Sequence, residues 1–268
     1  MRRQIGLLVR KLGYYSKPDF MIIGVQKGGT TALFDILNQH SHLQGSYDKE
    51  IHYFNNNEWY EKNKLEEYHY SFLLPHKVKS QTLLFEGTPT YIYHPEGAER
   101  LHRYNPNLKL IIILREPISR AFSAWKMYHY YFKSRGSFDL YDERTFEEAI
   151  EEEIQQISSM DFVLHAPRYM DRGIYYKQIL KYFQFYSRDQ ILILESEELK
   201  TKHPEVMCQI QNFLAVPIEL LAPLNSNLSF RPDIKIKEAV KERLKVFYAP
   251  YNRKLFALIE KKYEWNSN

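Results

Sequence analysis

Short apolar runs of strand length alternate along the chain with longer stretches in which apolar positions recur every three or four residues. That alternation predicts repeated βαβ units. Residues 20–25, 83–86, 108–114 and 190–194 read as strands, and 50–54 as a short extended piece. The apolar run at 108–114 follows an Asn105-Pro106-Asn107 turn, so a parallel strand buried on both faces is expected there. Helical spacing appears at Ala32, Leu33, Ile36 and Leu37, over 58–70, from Pro117 towards Phe132, and over 174–186 and 204–214. It returns in the C-terminal third at Leu244, Phe247, Leu255 and Ile259. The acidic stretch 145–156 has helical composition with charges at most positions and is expected to be a solvated helix. No repeat or Gly/Ser linker divides the chain. The pattern predicts an α/β fold: a single domain over 19–268, with a central, mainly parallel sheet flanked by helices. Ligands are expected where strands end and helices begin.

Composition narrows the function classes. Hydrophobic residues make up 44% and charged residues 26% of 268, which excludes a disordered or fibrous chain. A net charge of +4 is too small a surplus for a dedicated nucleic-acid binder, but it allows a local anion site. The single cysteine, Cys208, excludes an internal disulfide and a Cys-cluster metal site, and fits a cytoplasmic protein. No stretch has the roughly 18 apolar residues of a membrane span. Residues 1–18 are basic and amphipathic without a cleavage signature, and read as an arm packed on the domain. Membrane contact through that arm is the minor alternative.

Three segments carry chemistry. In the first, a strand runs through Gly24 into Lys27, Gly28, Gly29, Thr30, Thr31 and Ala32, and a helix follows. A helix start offers unpaired N–H groups and partial positive charge, and glycines let a phosphate approach the backbone. The spacing nearly meets GxxxxGK[ST], but Thr30 stands where that motif has lysine, and 108–114 leads into Arg115 instead of an obvious carboxylate for a magnesium ion. An anion held by Lys27 and amides without a metal is therefore expected; the competing reading is a plain strand-to-helix turn. In the second segment, Arg115 ends the apolar strand, and Ser119 and Ser123 share one face of the helix begun by Pro117, which suits a second phosphate. Arg120 beside them reads as a surface or helix-pairing charge. In the third, Glu50 and His52 are two apart in a segment expected to be extended, which would aim both side chains the same way.

The segment PDFMIIGVQKGGTTAL resembles the 5′-phosphosulfate loop of sulfotransferases that use 3′-phosphoadenylyl sulfate (PAPS), in particular the carbohydrate branch with the heparan sulfate enzymes. The similarity continues through EIHYF at 50–54, EGTPTY at 86–91 and LREPISRAFSAW at 114–125, and more weakly to about residue 215. It implies a metal-free, in-line sulfuryl transfer from PAPS, with PAP as product, to a hydroxyl or amine of a saccharide or other acceptor. It also implies that Lys27 and residues 28–32 hold the 5′-phosphosulfate, that Arg115 and Ser123 hold the 3′-phosphate, and that Glu50 is the base with His52 in support. A soluble bacterial member fits better than the anchored, disulfide-bonded ones.

Two departures stand out. Gly87 occupies the position where heparan sulfate enzymes carry lysine after the glutamate of the EKxxxY-like segment, so Lys27 or Lys49 would carry more of the cationic role. The lysine- and glycine-rich closing loop has no clear counterpart; Arg231, Lys235 and Lys237 are the nearest basic residues. Aromatics crowd 47–70 and 128–132, and stacked rings with polar edges suit a sugar. Two rival readings remain: a P-loop-type small-molecule kinase, and a non-catalytic anion- or glycan-binding protein.

Overall fold

The computed structural model describes residues 2–156, 167–224 and 234–265. The chain forms two compact units. The first comprises Met1–Val25, Gly29–Leu114 and Phe183–Ser226; the second comprises Gln26–Gly28, Arg115–Tyr182 and Asn227–Asn268.

The first unit is built on a five-stranded sheet of β1 (Phe20–Gly24), β2 (Leu43–Gly45), β3 (Leu83–Gly87), β4 (Lys109–Leu114) and β5 (Ile191–Glu195). The order is β2-β3-β1-β4-β5 and every pairing is parallel. All five residues of β1 are buried, as are all of β4 beyond Lys109. Burial on both faces is why these strands read as apolar runs instead of alternating. Phe20 and Phe85 pair in register and their rings stack at 4.8 Å. Phe20, Ile22, Ile111 and Ile113 share one core with Leu33, Leu37 and Ile210.

Strand order reverses at β1: the chain leaves it towards β2 and β3 on one side and reaches β4 and β5 on the other. In a parallel sheet that reversal opens a crevice at the carboxyl ends of the strands. The register between β1 and β4 shifts between Ile22 and Gly24, a bulge that re-aims the chain as it enters the loop.

Around this sheet the first unit carries α1 (Arg2–Lys11), α2 (Thr30–Leu37), α3 (Asn57–Glu61), α4 (Leu65–Tyr70) and α5 (Gly97–Tyr104). The second unit carries α6 (Pro117–Lys126), α7 (Phe132–Ser134), α8 (Phe146–Gln156) and α9 (Tyr175–Tyr182). The first unit adds α10 (Ser196–Thr201) and α11 (His203–Leu214), and the second adds α12 (Glu238–Ile259). Among the described residues, no helix is long and apolar enough to cross a membrane. The second unit has its own core, in which Phe122, Trp125, Phe146, Tyr169, Leu244 and Tyr248 are buried together.

Several expectations are corrected. The 50–54 segment is not a strand: Glu50 and His52 have φ of 62° and 61°. The single helix expected over 58–70 is two, because Asn63 at φ 47° ends α3 in a left-handed turn before α4 begins. The acidic α8 is not merely solvated, since Phe146, Ala149, Ile150 and Glu153 are buried. The Glu153 carboxylate accepts backbone N–H groups of Tyr169, Met170 and Asp171 at 2.7–2.9 Å, so one acid of the run is structural. α5 and the three-residue β2 had no counterpart in the pattern.

Candidate functional site

The loop after β1 is shaped by its glycines. Gly29 has φ 105° and caps α2 without any side-chain hydrogen bond to the helix start. A Cβ on Gly29 would lie 3.7 Å from both Ile113 Cδ1 and Ser196 Oγ, which is room enough, so the positive φ is what selects glycine here. The residue keeps the first-turn amides of α2 approachable by an anion. Thr30 is buried, Ala32 half-buried and Thr31 exposed at that turn. Sequence reading passed over Ser196, whose hydroxyl stands beside Gly29; only the sheet order brings the end of β5 there.

In the second unit, Lys27 also has a left-handed backbone, with φ 68°. That conformation is uncommon for a side-chain-bearing residue and tends to persist where a site requires it. The Lys27 carbonyl accepts from Arg115 Nη1 at 3.2 Å, so the two predicted anion-binding cations meet through the backbone of one and the guanidinium of the other. Lys27 Nζ is 3.9 Å from Met127 Sδ. The Arg115 carbonyl accepts from the Tyr175 hydroxyl at 2.8 Å.

The start of α6 has a cap that sequence reading passed over. Glu116 caps it, accepting from the amides of Ile118 and Ser119 at 3.0 and 2.6 Å, so a carboxylate already occupies that helix end. What remains for a phosphate is the Arg115 guanidinium and the half-exposed hydroxyls of Ser119 and Ser123, one turn apart. Arg120 is not a surface charge: it is fully buried and donates from Nη2 to the Tyr169 carbonyl. Its Nε and Nη1 lack a hydrogen-bond partner among the described residues; burial pushes the nearby Glu153 carboxyl up, against its backbone hydrogen bonds and the Arg120 charge.

In the first unit, Glu50 and His52 do face each other, although not by strand alternation. His52 Nε2 lies 3.7 Å from Glu50 Oε2, and Lys49 Nζ donates to Glu50 Oε1 at 2.6 Å. Two left-handed residues separated by one ordinary residue fold the segment back on itself and bring the side chains together. The Glu50 amide donates to the Gly87 carbonyl at 3.1 Å, which ties the turn to the end of β3. Burial alone would raise the Glu50 carboxyl, but hydrogen bonding to His52 and the Lys49 ammonium outweigh it and hold it down at about 2. It is therefore charged throughout the physiological range.

Behind this pair, Asn55 Nδ2 lies 3.2 Å from His52 Nδ1 and donates to Thr90 Oγ1 at 2.5 Å. Asn55 and Thr90 orient the imidazole, and both were missed as individual residues although they lie in or next to the quoted EIHYF and EGTPTY motifs.

Glu86 lies at the floor of the same region, fully buried, accepting from Tyr68 Oη at 3.1 Å and Thr88 Oγ1 at 3.0 Å. Burial drives its carboxyl up to about 7, against the hydrogen bonds from Thr88, Tyr91 and Tyr68 and the nearby His52. A folded-state value above the ordinary 4.5 means the neutral form is favoured in the fold. That stabilisation is complete below pH 4.5 and is lost as pH rises through about 7. Replacing Glu86 by Gln is expected to remove a pH-dependent loss of about 3 kcal/mol over that range, read as urea midpoints at about pH 5 and about pH 8. An unchanged pH dependence in the variant would assign the loss to another group.

Gly87 explains its own departure from lysine. A Cβ there would stand 3.1 Å from Phe34 Cδ2, so the close packing of α2 on β3 leaves little room for a longer residue. Lys49 supplies a cation beside Glu50 instead. Of the distal basic residues, Arg231 lies outside the described residues; Lys235 is exposed, and Lys237 is exposed and 3.7 Å from Glu147. Much of the aromatic cluster at 47–70 is core and not a sugar platform: Tyr53, Phe54 and Tyr68 are buried, whereas Tyr47 is exposed.

Residues 17–250 match the family described as "Sulfotransferase domain". A curated relative, heparan sulfate glucosamine 3-O-sulfotransferase 6 of Mus musculus, is 25% identical over 272 residues, covering 93% of this chain and 74% of that protein. The crystal structure of a sulfotransferase from Alicyclobacillus acidocaldarius superposes with a TM-score of 0.71 at 23% identity, covering 93% of this chain and 99% of the other. A mouse sulfotransferase in complex with PAP shares the fold with a TM-score of 0.53 at 12% identity, covering 94% and 88%.

Proposed function

Because the chain belongs to the sulfotransferase family, whose domain it matches over residues 17–250, we propose that it moves a sulfuryl group from PAPS to a hydroxyl or amine of a saccharide, with Glu50 taking the acceptor proton. The observation that carries the base assignment is the Lys49-Glu50-His52 cluster, in which a half-exposed carboxylate is kept charged by a lysine at 2.6 Å and a histidine at 3.7 Å. The kinship of the chain to a heparan sulfate enzyme supports a saccharide acceptor.

Lys27, the amides of Gly28 to Ala32 and the uncapped start of α2 are assigned to the 5′-phosphosulfate; Arg115 and Ser123 are assigned to the 3′-phosphate. The residues fit such a donor: Gly29 leaves the helix start clear of side chains. In the transfer, the bond between sulfur and the bridging phosphate oxygen breaks as the acceptor oxygen or nitrogen bonds to sulfur. The acceptor proton passes to the Glu50 carboxylate, and PAP leaves with its new charge opposed by Lys27. Asn55 and Thr90 hold His52, and His52 holds Glu50, so the base is oriented before the acceptor arrives.

One observation favours a second proton acceptor. A carboxylate held at about 2 is a weak base, and its neighbour His52 could take the proton while Glu50 stabilises the resulting imidazolium. Thr30 in the place of a motif lysine supports transfer without a metal. Cytoplasmic residence is part of the same reading, supported by the single Cys208.

The test is a labelled-PAPS assay against saccharide, lipid and small-metabolite acceptors, with and without a chelator. PAP release coupled to a sulfated saccharide, unaffected by the chelator, is expected. No PAP release with any acceptor, or transfer only to non-sugar acceptors, would overturn the acceptor reading.

A further inference from the structure

The net charge of the chain has an uneven address. Residues 1–18 hold five basic side chains, Arg2, Arg3, Arg10, Lys11 and Lys17, and no acidic one. From totals of 37 basic and 33 acidic residues, the other 250 residues are left with 32 basic against 33 acidic. The whole positive surplus of +4 therefore belongs to the N-terminal segment.

Most of that segment is α1, and α1 docks in an unusual sense. The side that carries Gly6 and Arg10 is turned towards the protein, flanked by half-buried Leu7 and Val9. Arg10 is buried, and its guanidinium donates to the carbonyls of Gly6, His69 and Phe72 at 2.9–3.0 Å. Arg3 pairs with Glu67 of α4 at 3.2 Å, and both arginines lie over the Tyr70 ring, at 5.8 and 4.8 Å. A Cβ on Gly6 would come within 2.8 Å of Tyr70 Cε2, so glycine is what lets the helix approach that ring. Residues 3, 6 and 10 follow the i, i+3, i+7 spacing of one helix face.

Residues 5, 8 and 12 follow the same spacing on the opposite side, and they are Ile5, Leu8 and Leu12, exposed by 56%, 57% and 76%. A water-facing helix of a globular protein normally shows the reverse arrangement, with its apolar stripe inward. Exposed apolar residues on a helix whose arginines anchor it to the domain form a binding face. Lys11 is exposed next to the stripe, Lys17 is exposed further along the segment, and Tyr14 is partly exposed beyond Gly13, where the chain turns at φ 90°. Apolar side chains flanked by lysine and tyrosine, with no acid in the segment, complement a lipid surface that is apolar below and negatively charged at its headgroups.

We propose that α1 is a membrane-surface anchor: Ile5, Leu8 and Leu12 enter the headgroup boundary of an anionic bilayer, and the lysines meet its headgroups, while Arg10 fixes the helix to the catalytic unit. This goes beyond sulfuryl transfer and does not depend on the acceptor. Contact through one short helix is weak and reversible, so occupancy depends on lipid charge and salt.

Co-sedimentation of the full chain with vesicles of phosphatidylcholine alone, and of phosphatidylcholine with phosphatidylserine, tests it. Binding to the anionic vesicles, falling with added salt, is expected. The triple variant Ile5→Gln, Leu8→Gln, Leu12→Gln is expected to bind at least about tenfold more weakly with an unchanged melting temperature, because the three sites are exposed. Lys11→Gln is expected to cost roughly fivefold on anionic vesicles alone. Failure to sediment with anionic vesicles, equal sedimentation with both compositions, or full binding by the triple variant would each overturn the proposal. So would a wild-type dimer in solution, without vesicle binding, that the triple variant converts to monomer: the stripe would then be an interface between two copies.

Discussion

Glu50→Gln is expected to lower kcat about a thousandfold while PAP binds within about twofold of wild type. Glutamine keeps the size of the side chain and can still accept from Lys49, whose amine lies 2.6 Å from the carboxylate. It cannot take a proton. General-base catalysis is worth about 10²–10⁴-fold, so a thousandfold loss, about 4 kcal/mol of barrier, is the size that removal of the base should produce. The pH profile separates the two proton acceptors. With its carboxyl held down at about 2, Glu50 stays ionised on acidification well below neutrality and gives no acid limb of its own above about pH 4. The same sign applies to stability: the contribution of this carboxylate is present above its ordinary 4.5 and is lost only as pH falls through about 2. A rate that drops on mild acidification, together with a larger loss in His52→Asn than in Glu50→Gln, would transfer the base role to His52. Retention of full activity by Glu50→Gln would end the assignment.

Lys27→Ala is expected to reduce kcat/KM by about 10²–10³-fold, with a smaller, roughly tenfold weakening of PAP binding. The asymmetry follows from where charge develops. A lysine at the donor phosphosulfate opposes charge that grows as the bridging bond breaks, so its contribution is greater in the transition state than in a complex with PAP. The left-handed backbone at Lys27, with φ 68°, makes this more specific. Alanine is strained at that φ much as lysine is, so the substitution removes the amine without relaxing the loop. Lys27→Gly would do both, and the difference between the two variants in melting temperature measures the backbone strain held there. Equal losses in PAP affinity and in kcat/KM would mean that Lys27 only binds the nucleotide.

Both predictions concern residues whose identity was legible in the sequence and whose reason was not. Four of the five strands and the glycine turn after β1 could be read directly, because a strand buried on both faces must be apolar throughout and a helix start that receives an anion needs glycine. Lys27, Glu50, His52 and Arg115 were named from motif and order alone. The expected reason for Glu50 and His52 to face each other was mistaken. Glu50 and His52 come together through two left-handed residues and not through strand alternation, and φ values of that kind leave no mark in composition. That Glu116 caps the start of α6 was not legible either, since the contact depends on the rotamer of one side chain.

Local chemistry thus pointed to the class of the protein: which segments are strands, which strand-to-helix turn has the glycines and lysine that suit a phosphate, and which carboxylate and imidazole lie between residues 32 and 115 in sequence order. Tertiary structure decided what each charge faces. Lys49 rather than a lysine at position 87 accompanies Glu50, because Phe34 crowds the Gly87 backbone. Arg120 is buried on Tyr169 instead of solvated, and Arg10 turns inward so that Ile5, Leu8 and Leu12 turn out. Hydrophobic periodicity records which residues share a face, since that follows from backbone geometry within a few turns. Whether that face meets the core or the solvent depends on contacts with residues as far as 62 positions away, as Arg10 and Phe72 show, and such contacts form only when the whole chain has folded.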